Sequence, residues 1–88
     1  MTKYKINKGF ITQKVGKKIT IFDAETSTLF TFNETASFIF VKLNDGVSPD
    51  EIVRLLIKKF SLSEKKATKD VADFISQLLQ EQIIKLKK

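Results

Sequence analysis

Hydrophobic and polar residues alternate along residues 10–33 of the chain and then recur at helical spacing along residues 34–82. Alternation with a period of two is typical of half-buried strands, whereas apolar residues three and four positions apart indicate helices. These patterns predict one α+β domain over residues 1–88, a three-stranded antiparallel sheet followed by three helices in a winged helix-turn-helix-like order. The predicted strands cover about residues 10–15, 18–23 and 28–32, and the predicted helices about residues 34–44, 49–60 and 64–82.

The expected turns and helix ends agree with this division. Gly16 and Lys17 form a two-residue turn in which glycine supplies the positive φ. Asn33 and Ser48 are suited to cap the first two helices, because their side-chain oxygens accept hydrogen bonds from free N–H groups of the first turn. Ser48 with Glu51 also fits a capping box, and Ile83-Ile84-Lys85-Leu86 predicts a short extended segment at the end.

Each predicted helix carries one apolar stripe for the core, as expected of helices that cover one face of a sheet. The stripe residues are Ala36, Ile39, Phe40 and Leu43; then Ile52, Leu55, Leu56 and Phe60; then Ala67, Val71, Phe74, Ile75, Leu78 and Leu79.

The composition excludes several kinds of chemistry. The chain has no Cys and no His, which removes disulfides, thiol nucleophiles, Cys/His zinc sites and histidine bases. It has neither a P-loop nor a G-x-G-x-x-G sequence. Asp70 and Asp73 lie three residues apart, but with no third ligand nearby they do not predict a metal site. We therefore expect a binding protein with no catalytic residue, no metal and no cofactor.

No apolar run approaches the roughly 20 residues that a membrane span requires. The basic N-terminus also lacks the apolar stretch of a signal peptide. The expectation is a cytoplasmic protein that does not bind membranes.

The net charge of +6, from 16 Lys+Arg and 10 Asp+Glu, raises the question of nucleic-acid binding. The third predicted helix, however, carries four acidic residues and three lysines, whereas a recognition helix presents a basic and polar face. The single arginine, Arg54, lies on the second helix. The charge pattern favours a lysine-rich solubilising surface, and a small winged-helix DNA-binding protein is the alternative.

The third predicted strand is unusually apolar. Leu29 and Phe30 are adjacent, so their side chains must lie on opposite faces of the sheet, and one of them faces away from the helices. As the last strand of a meander it is also an edge with free N–H and C=O groups. An apolar edge of this kind suits the addition of a peptide strand. Alternatively, Leu29 packs under the loop of residues 23–27 or under the N-terminal arm.

Residues 21–36, Ile-Phe-Asp-Ala-Glu-Thr-Ser-Thr-Leu-Phe-Thr-Phe-Asn-Glu-Thr-Ala, resemble the signature of PqqD-like proteins. Leu43-Asn44-Asp45-Gly46 is similar to the Leu-x-x-Gly that follows it, and residues 70–79 are similar to the family's last helix. The resemblance covers about residues 5–86. Three positions depart from the family pattern: Ser27 and Ala36 stand where glycine is common, and Phe40 replaces a tryptophan.

This resemblance implies a RiPP recognition element, a domain that binds the leader peptide of a ribosomally synthesised and post-translationally modified peptide. In such domains the leader adds as a strand beside the third strand, in a cleft against the third helix. The implied partners are the leader and a separate leader peptidase or modifying enzyme, with a stand-alone element of lasso peptide biosynthesis favoured. The implied peptide-binding residues are Thr28, Leu29, Phe30, Thr31 and Phe32 on the strand, and Asp70, Asp73, Phe74 and Gln77 on the helix.

Overall fold

Two antiparallel sheets and three helices make up the computed structural model, which describes residues 3–86. The main sheet has the strand order β2-β3-β4, and a two-stranded sheet pairs β1 with β5. The elements in chain order are β1 (Tyr4–Ile6), β2 (Phe10–Val15), β3 (Lys18–Asp23), β4 (Thr28–Thr31), α1 (Glu34–Asn44), α2 (Pro49–Phe60), α3 (Glu64–Gln80) and β5 (Ile84–Leu86).

The small sheet ties the two ends of the described chain together. Tyr4 pairs with Leu86 and Ile6 with Ile84, and the Asn7 side-chain amide donates to the Gln82 carbonyl at 2.7 Å. Strand β5 confirms the extended segment expected near the C-terminus. Strand β1 was not predicted, because three residues are too few for alternation to be recognised.

The register of the main sheet decides which side chains face the helices. Ile21 pairs with Phe30, and Phe22 pairs with Leu29 and with Ile11. Because side chains alternate between faces, Ile21 and Phe30 share the helix-covered face, whereas Ile11, Phe22 and Leu29 share the outer face. Ile21 is fully buried, while Ile11 and Leu29 are exposed.

The helix boundaries follow from local capping. The side chains of Asn33, Ser48 and Ser63 accept from the N–H groups of residues 36, 51 and 66, so both predicted N-caps are confirmed. The capping box is only half formed, because the Glu51 carboxylate pairs with Arg54. Helix α3 ends at Gln80, two residues before the predicted boundary. None of the helices in the described range is long and apolar enough to cross a bilayer.

The core lies between the main sheet and the helices and follows the predicted stripes closely. The buried hydrophobic side chains are Ile19, Ile21, Phe32, Ile39, Phe40, Leu43, Ile52, Leu56, Ala67, Val71, Phe74, Ile75, Leu78, Ile83 and Ile84. Leu55 and Leu79 were wrongly assigned to the core. Leu55 is only half-buried and lies outside the core cluster, and Leu79 is 39% exposed on the flank of α3.

Ser27 adopts a left-handed backbone conformation, with φ of 58°, in the loop before β4. This conformation costs a non-glycine residue about 1–2 kcal/mol. Glycine avoids that cost, but its more flexible unfolded state offsets part of the stabilisation. We expect Ser27→Gly to raise the free energy of unfolding by about 0.5–1 kcal/mol in urea titrations. Ser76→Gly, inside α3, should lower the free energy of unfolding instead. A Ser27→Gly protein less stable than the parent would contradict the left-handed conformation of Ser27.

Candidate functional site

Strand β4 has one edge paired and one edge free. Phe32 donates its backbone N–H to the Ile19 carbonyl at 3.0 Å. In an antiparallel ladder, residues alternate between hydrogen-bonded and non-hydrogen-bonded pairs, so Phe30 and Thr28 also direct their N–H and C=O groups towards β3. Leu29 and Thr31 therefore direct theirs away from the sheet. Within residues 3–86 no strand pairs with this side of β4.

Ser37 on α1 holds the end of β4 against β3. Its hydroxyl accepts from the Ile19 N–H at 2.8 Å and donates to the Phe32 carbonyl at 3.3 Å. The hydroxyl thus bridges β3 and the end of β4 in a site where the serine is 2% exposed. The sequence analysis missed Ser37, although a small polar residue between Ala36 and Phe38 on the apolar side of a helix was an available signal.

The side chains of β4 divide between the two faces of the sheet. Leu29 is 62% exposed on the outer face, so the alternative that a loop or the N-terminal arm covers it is wrong. Phe30 is half-buried and packs against the core on the opposite face. Thr28 and Thr31 are exposed. The strand therefore combines an open backbone edge with an uncovered apolar side chain.

Phe32 follows the strand and is a core residue. Its side chain is only 6% exposed, so the ring itself offers little surface to a ligand. The ring meets Phe74 edge-on, with the centroids 5.0 Å apart, and meets Phe40 at 5.7 Å. Phe74 is 8% exposed and belongs to the same core. The two predicted site residues therefore act together as the contact that sets α3 beside the end of β4.

A surface concavity of about 330 Å³ lies between the N-terminal half of α1, which follows β4, and α3. It brings together Asp70 and Asp73, as predicted for one wall of the site, but its lining does not include residues 28–32, Phe74 or Gln77. Gln77 is exposed further along α3. The lining consists of Asn33, Thr35, Ala36, Ile39, Leu62, Lys66, Asp70 and Asp73.

The acidic residues of this wall are paired with lysines one turn earlier. Lys66 contacts Asp70 at 3.2 Å, and Lys69 contacts Asp73 at 2.6 Å. The hydrogen bond from Lys69 to Asp73, supported by the charge of that carboxylate, raises the pKa of Lys69 above its ordinary value. The wall is therefore polar with little net charge. No cluster of three possible metal-ligating residues occurs in the described part of the chain.

The sequence is similar to a known protein family. Residues 19–84 match the family model of coenzyme PQQ synthesis protein D (PqqD). No curated protein sequence matches the chain significantly.

Two solved structures share the fold. The complex of TbiB1 with the TbiA(beta) leader peptide is 22% identical, with a TM-score of 0.84 over 92% of this chain and 94% of that chain. A lasso peptide synthetase B1 complexed with the leader peptide is 18% identical, with a TM-score of 0.87 over 94% and 98% of the two chains.

Proposed function

The chain belongs to the PqqD family, and we propose that it binds the leader peptide of a ribosomally synthesised precursor and presents it to a modifying enzyme or leader peptidase. The observation that carries this proposal is the free edge of β4, where Leu29 and Thr31 direct their backbone groups away from the sheet. An extended peptide that pairs there gains main-chain hydrogen bonds without displacing any strand. The binding residues named from the resemblance remain part of this proposal.

In this mode the leader becomes the next strand of the main sheet. Its backbone pairs with Leu29 and Thr31, and its side chains alternate between the two faces. One row of leader side chains faces α3, where Asp70, Asp73 and Gln77 supply polar partners. The other row lies beside Leu29 on the outer face. The buried contact between Phe32 and Phe74 holds α3 beside the end of β4, so that α3 can form one wall of the leader site.

We place the chain in lasso peptide biosynthesis. One of the two similar structures is of a lasso peptide synthetase B1, and both were solved with a leader peptide. Their similarity extends over more than nine-tenths of this chain. The function is recognition, and the chemical step belongs to a separate enzyme. Since precursors of this class are made on ribosomes, the protein acts in the cytoplasm.

A winged-helix DNA-binding protein is the competing function, and the charges of α3 speak against it. In that arrangement α3 would read the major groove with basic and polar side chains. Instead two of its lysines, Lys66 and Lys69, are paired with Asp70 and Asp73. We therefore propose no role in DNA recognition for α3.

A salt titration separates the two functions. The probe is the leader segment of a short precursor gene, to be sought beside the gene for this chain, with a DNA duplex as comparison. Strand addition should change in affinity by less than about threefold between about 50 and 200 mM salt, because main-chain hydrogen bonds carry it. Binding that rests on phosphate contacts should fall by about a thousandfold over that range. Tight, salt-sensitive binding of the duplex with no binding of the leader would contradict the proposed function.

A further inference from the structure

A second cavity, on a different face of α1, combines an aromatic floor with a rim of lysines. It has a volume of about 240 Å³ and lies between the β2–β3 hairpin, α1 and the end of α2. Its lining consists of Lys14, Lys17, Ile19, Glu34, Ser37, Phe38, Val41, Lys42, Lys59 and Phe60. None of these residues lines the concavity beside α3. Ile19 and Ser37 place the inner end of the cavity next to the end of β4, while its lysines belong to the β2–β3 hairpin, α1 and α2.

The floor of the cavity is built from two packed aromatic rings. Phe38 and Phe60 meet edge-on, with the ring centroids 5.7 Å apart and the planes at 85°. Both rings are only partly buried. They therefore leave apolar surface at the bottom of a recess, where a single aliphatic or aromatic side chain of a ligand would be removed from water.

Two of the lysines are held over this floor. The Lys42 ammonium lies 5.3 Å from the centre of the Phe38 ring, and the Lys59 ammonium lies 5.8 Å from Phe38 and 6.0 Å from Phe60. Such cation–π contacts fix the position of an ammonium group without neutralising its charge. The two charges thus remain available to an anion at the mouth of the cavity.

The rim is also electrostatically unbalanced. The cavity is lined by four lysines and one carboxylate, Glu34. In residues 3–86 the ion pairs are Arg54–Glu51, Lys66–Asp70 and Lys69–Asp73, so no rim lysine takes part in one. Charges within a Debye length of about 8 Å reinforce one another. Unpaired positive charge is therefore concentrated around this cavity, whereas Lys66 and Lys69 on α3 are paired with carboxylates.

We propose that this lysine-rimmed cavity docks an acidic segment, carrying one apolar anchor side chain, of the protein that receives the bound leader. This inference rests on the proposed function only for the identity of the receiving protein. The lysine rim implies that the segment is acidic, by charge complementarity, and the Phe38–Phe60 floor implies that it carries an apolar anchor. An aromatic recess favours a peptide with a side chain to bury over a DNA duplex, whose backbone offers phosphates and whose bases are stacked inside the helix.

The test uses a synthetic peptide in which a single phenylalanine lies between two runs of glutamate. Binding is followed by calorimetry and by the backbone amide shifts of Phe38, Val41 and Phe60. We expect Lys59→Glu to weaken this binding by about three- to tenfold, since it removes one close attraction and adds a repulsion. Lys58→Glu makes the same charge change in the same last turn of α2 but outside the cavity, and it should weaken binding by less than about twofold.

Three results would overturn the docking proposal. They are equal weakening by the two variants, equal binding of a peptide in which serine replaces the phenylalanine, and a DNA duplex that competes for the same amides. Leader binding is measured separately on each variant. A lower leader affinity in Lys59→Glu would show that the leader itself uses the cavity, and would contradict the docking proposal. Failure of the parent protein to bind the leader would contradict the proposed function alone.

Discussion

Thr31→Pro should reduce leader affinity by about 30- to 150-fold while leaving the protein folded. Proline has no N–H group, so the leader carbonyl opposite this position loses its donor and is buried unpaired, at a cost of about 2–3 kcal/mol. The fold should tolerate the change because the Thr31 N–H points away from β3 and takes part in no ladder bond. Phe30 before it is already extended, as a residue preceding proline must be.

Two control variants separate the backbone effect from other causes. Thr31→Ala keeps the N–H donor and should change the affinity by less than about threefold. Thr12→Pro removes an equivalent donor from the opposite edge of the sheet, since the bond from the Ala24 N–H to the Gly9 carbonyl makes Thr12 a residue that points away from β3. It should leave leader binding intact. Calorimetry gives the affinities, and circular dichroism with thermal melts verifies folding. Equal losses from both proline variants would show that β4 is not the docking edge.

Phe32→Ala should produce the largest loss of stability among substitutions near the site, about 3–5 kcal/mol. Its ring fills the space between Phe40 and Phe74, and replacement leaves a cavity that the surrounding helices cannot close. A domain of this size has a free energy of unfolding of about 4–13 kcal/mol. The variant therefore loses a large part of its stability, which urea unfolding followed by circular dichroism will measure.

Leu29→Ala is the matched control for that measurement. Leu29 is also a large apolar residue near β4, but its side chain is 62% exposed. Its truncation should change the free energy of unfolding by no more than about 0.5 kcal/mol. It should instead lower leader affinity, because the added strand would cover this side chain. A stability loss at Leu29 equal to that at Phe32 would contradict the assignment of the two faces.

The helices could be predicted closely from the sequence because their signals are local. Asn33 and Ser48 cap the first turns, and the apolar stripes lie where the 3.6-residue period puts them. The early end of α3 depends on Gln82, whose φ of 60° reverses the chain into β5. No residue type that favours this conformation marks the position, so the period of the apolar residues suggested a longer helix.

The site depended on facts that no local pattern contains. Alternation requires that Leu29 and Phe30 face opposite ways, but only the pairing with β3 shows which of them is covered. The same pairing decides that Thr31 and not Phe30 has a free N–H. Ser37 and the lysine-rimmed cavity join residues that are distant along the chain, and their proximity follows from tertiary packing alone.

Backbone hydrogen exchange is the most direct test of leader addition at β4. In the free protein the amides of Leu29 and Thr31 should exchange quickly, while that of Phe32, which donates to Ile19, should exchange slowly. Leader at about 100 times its dissociation constant should slow exchange at Leu29 and Thr31 by about 100-fold and leave the free-edge amide of Thr12 unchanged. Saturating leader that leaves Leu29 and Thr31 unprotected, or that protects Thr12 instead, would contradict the account.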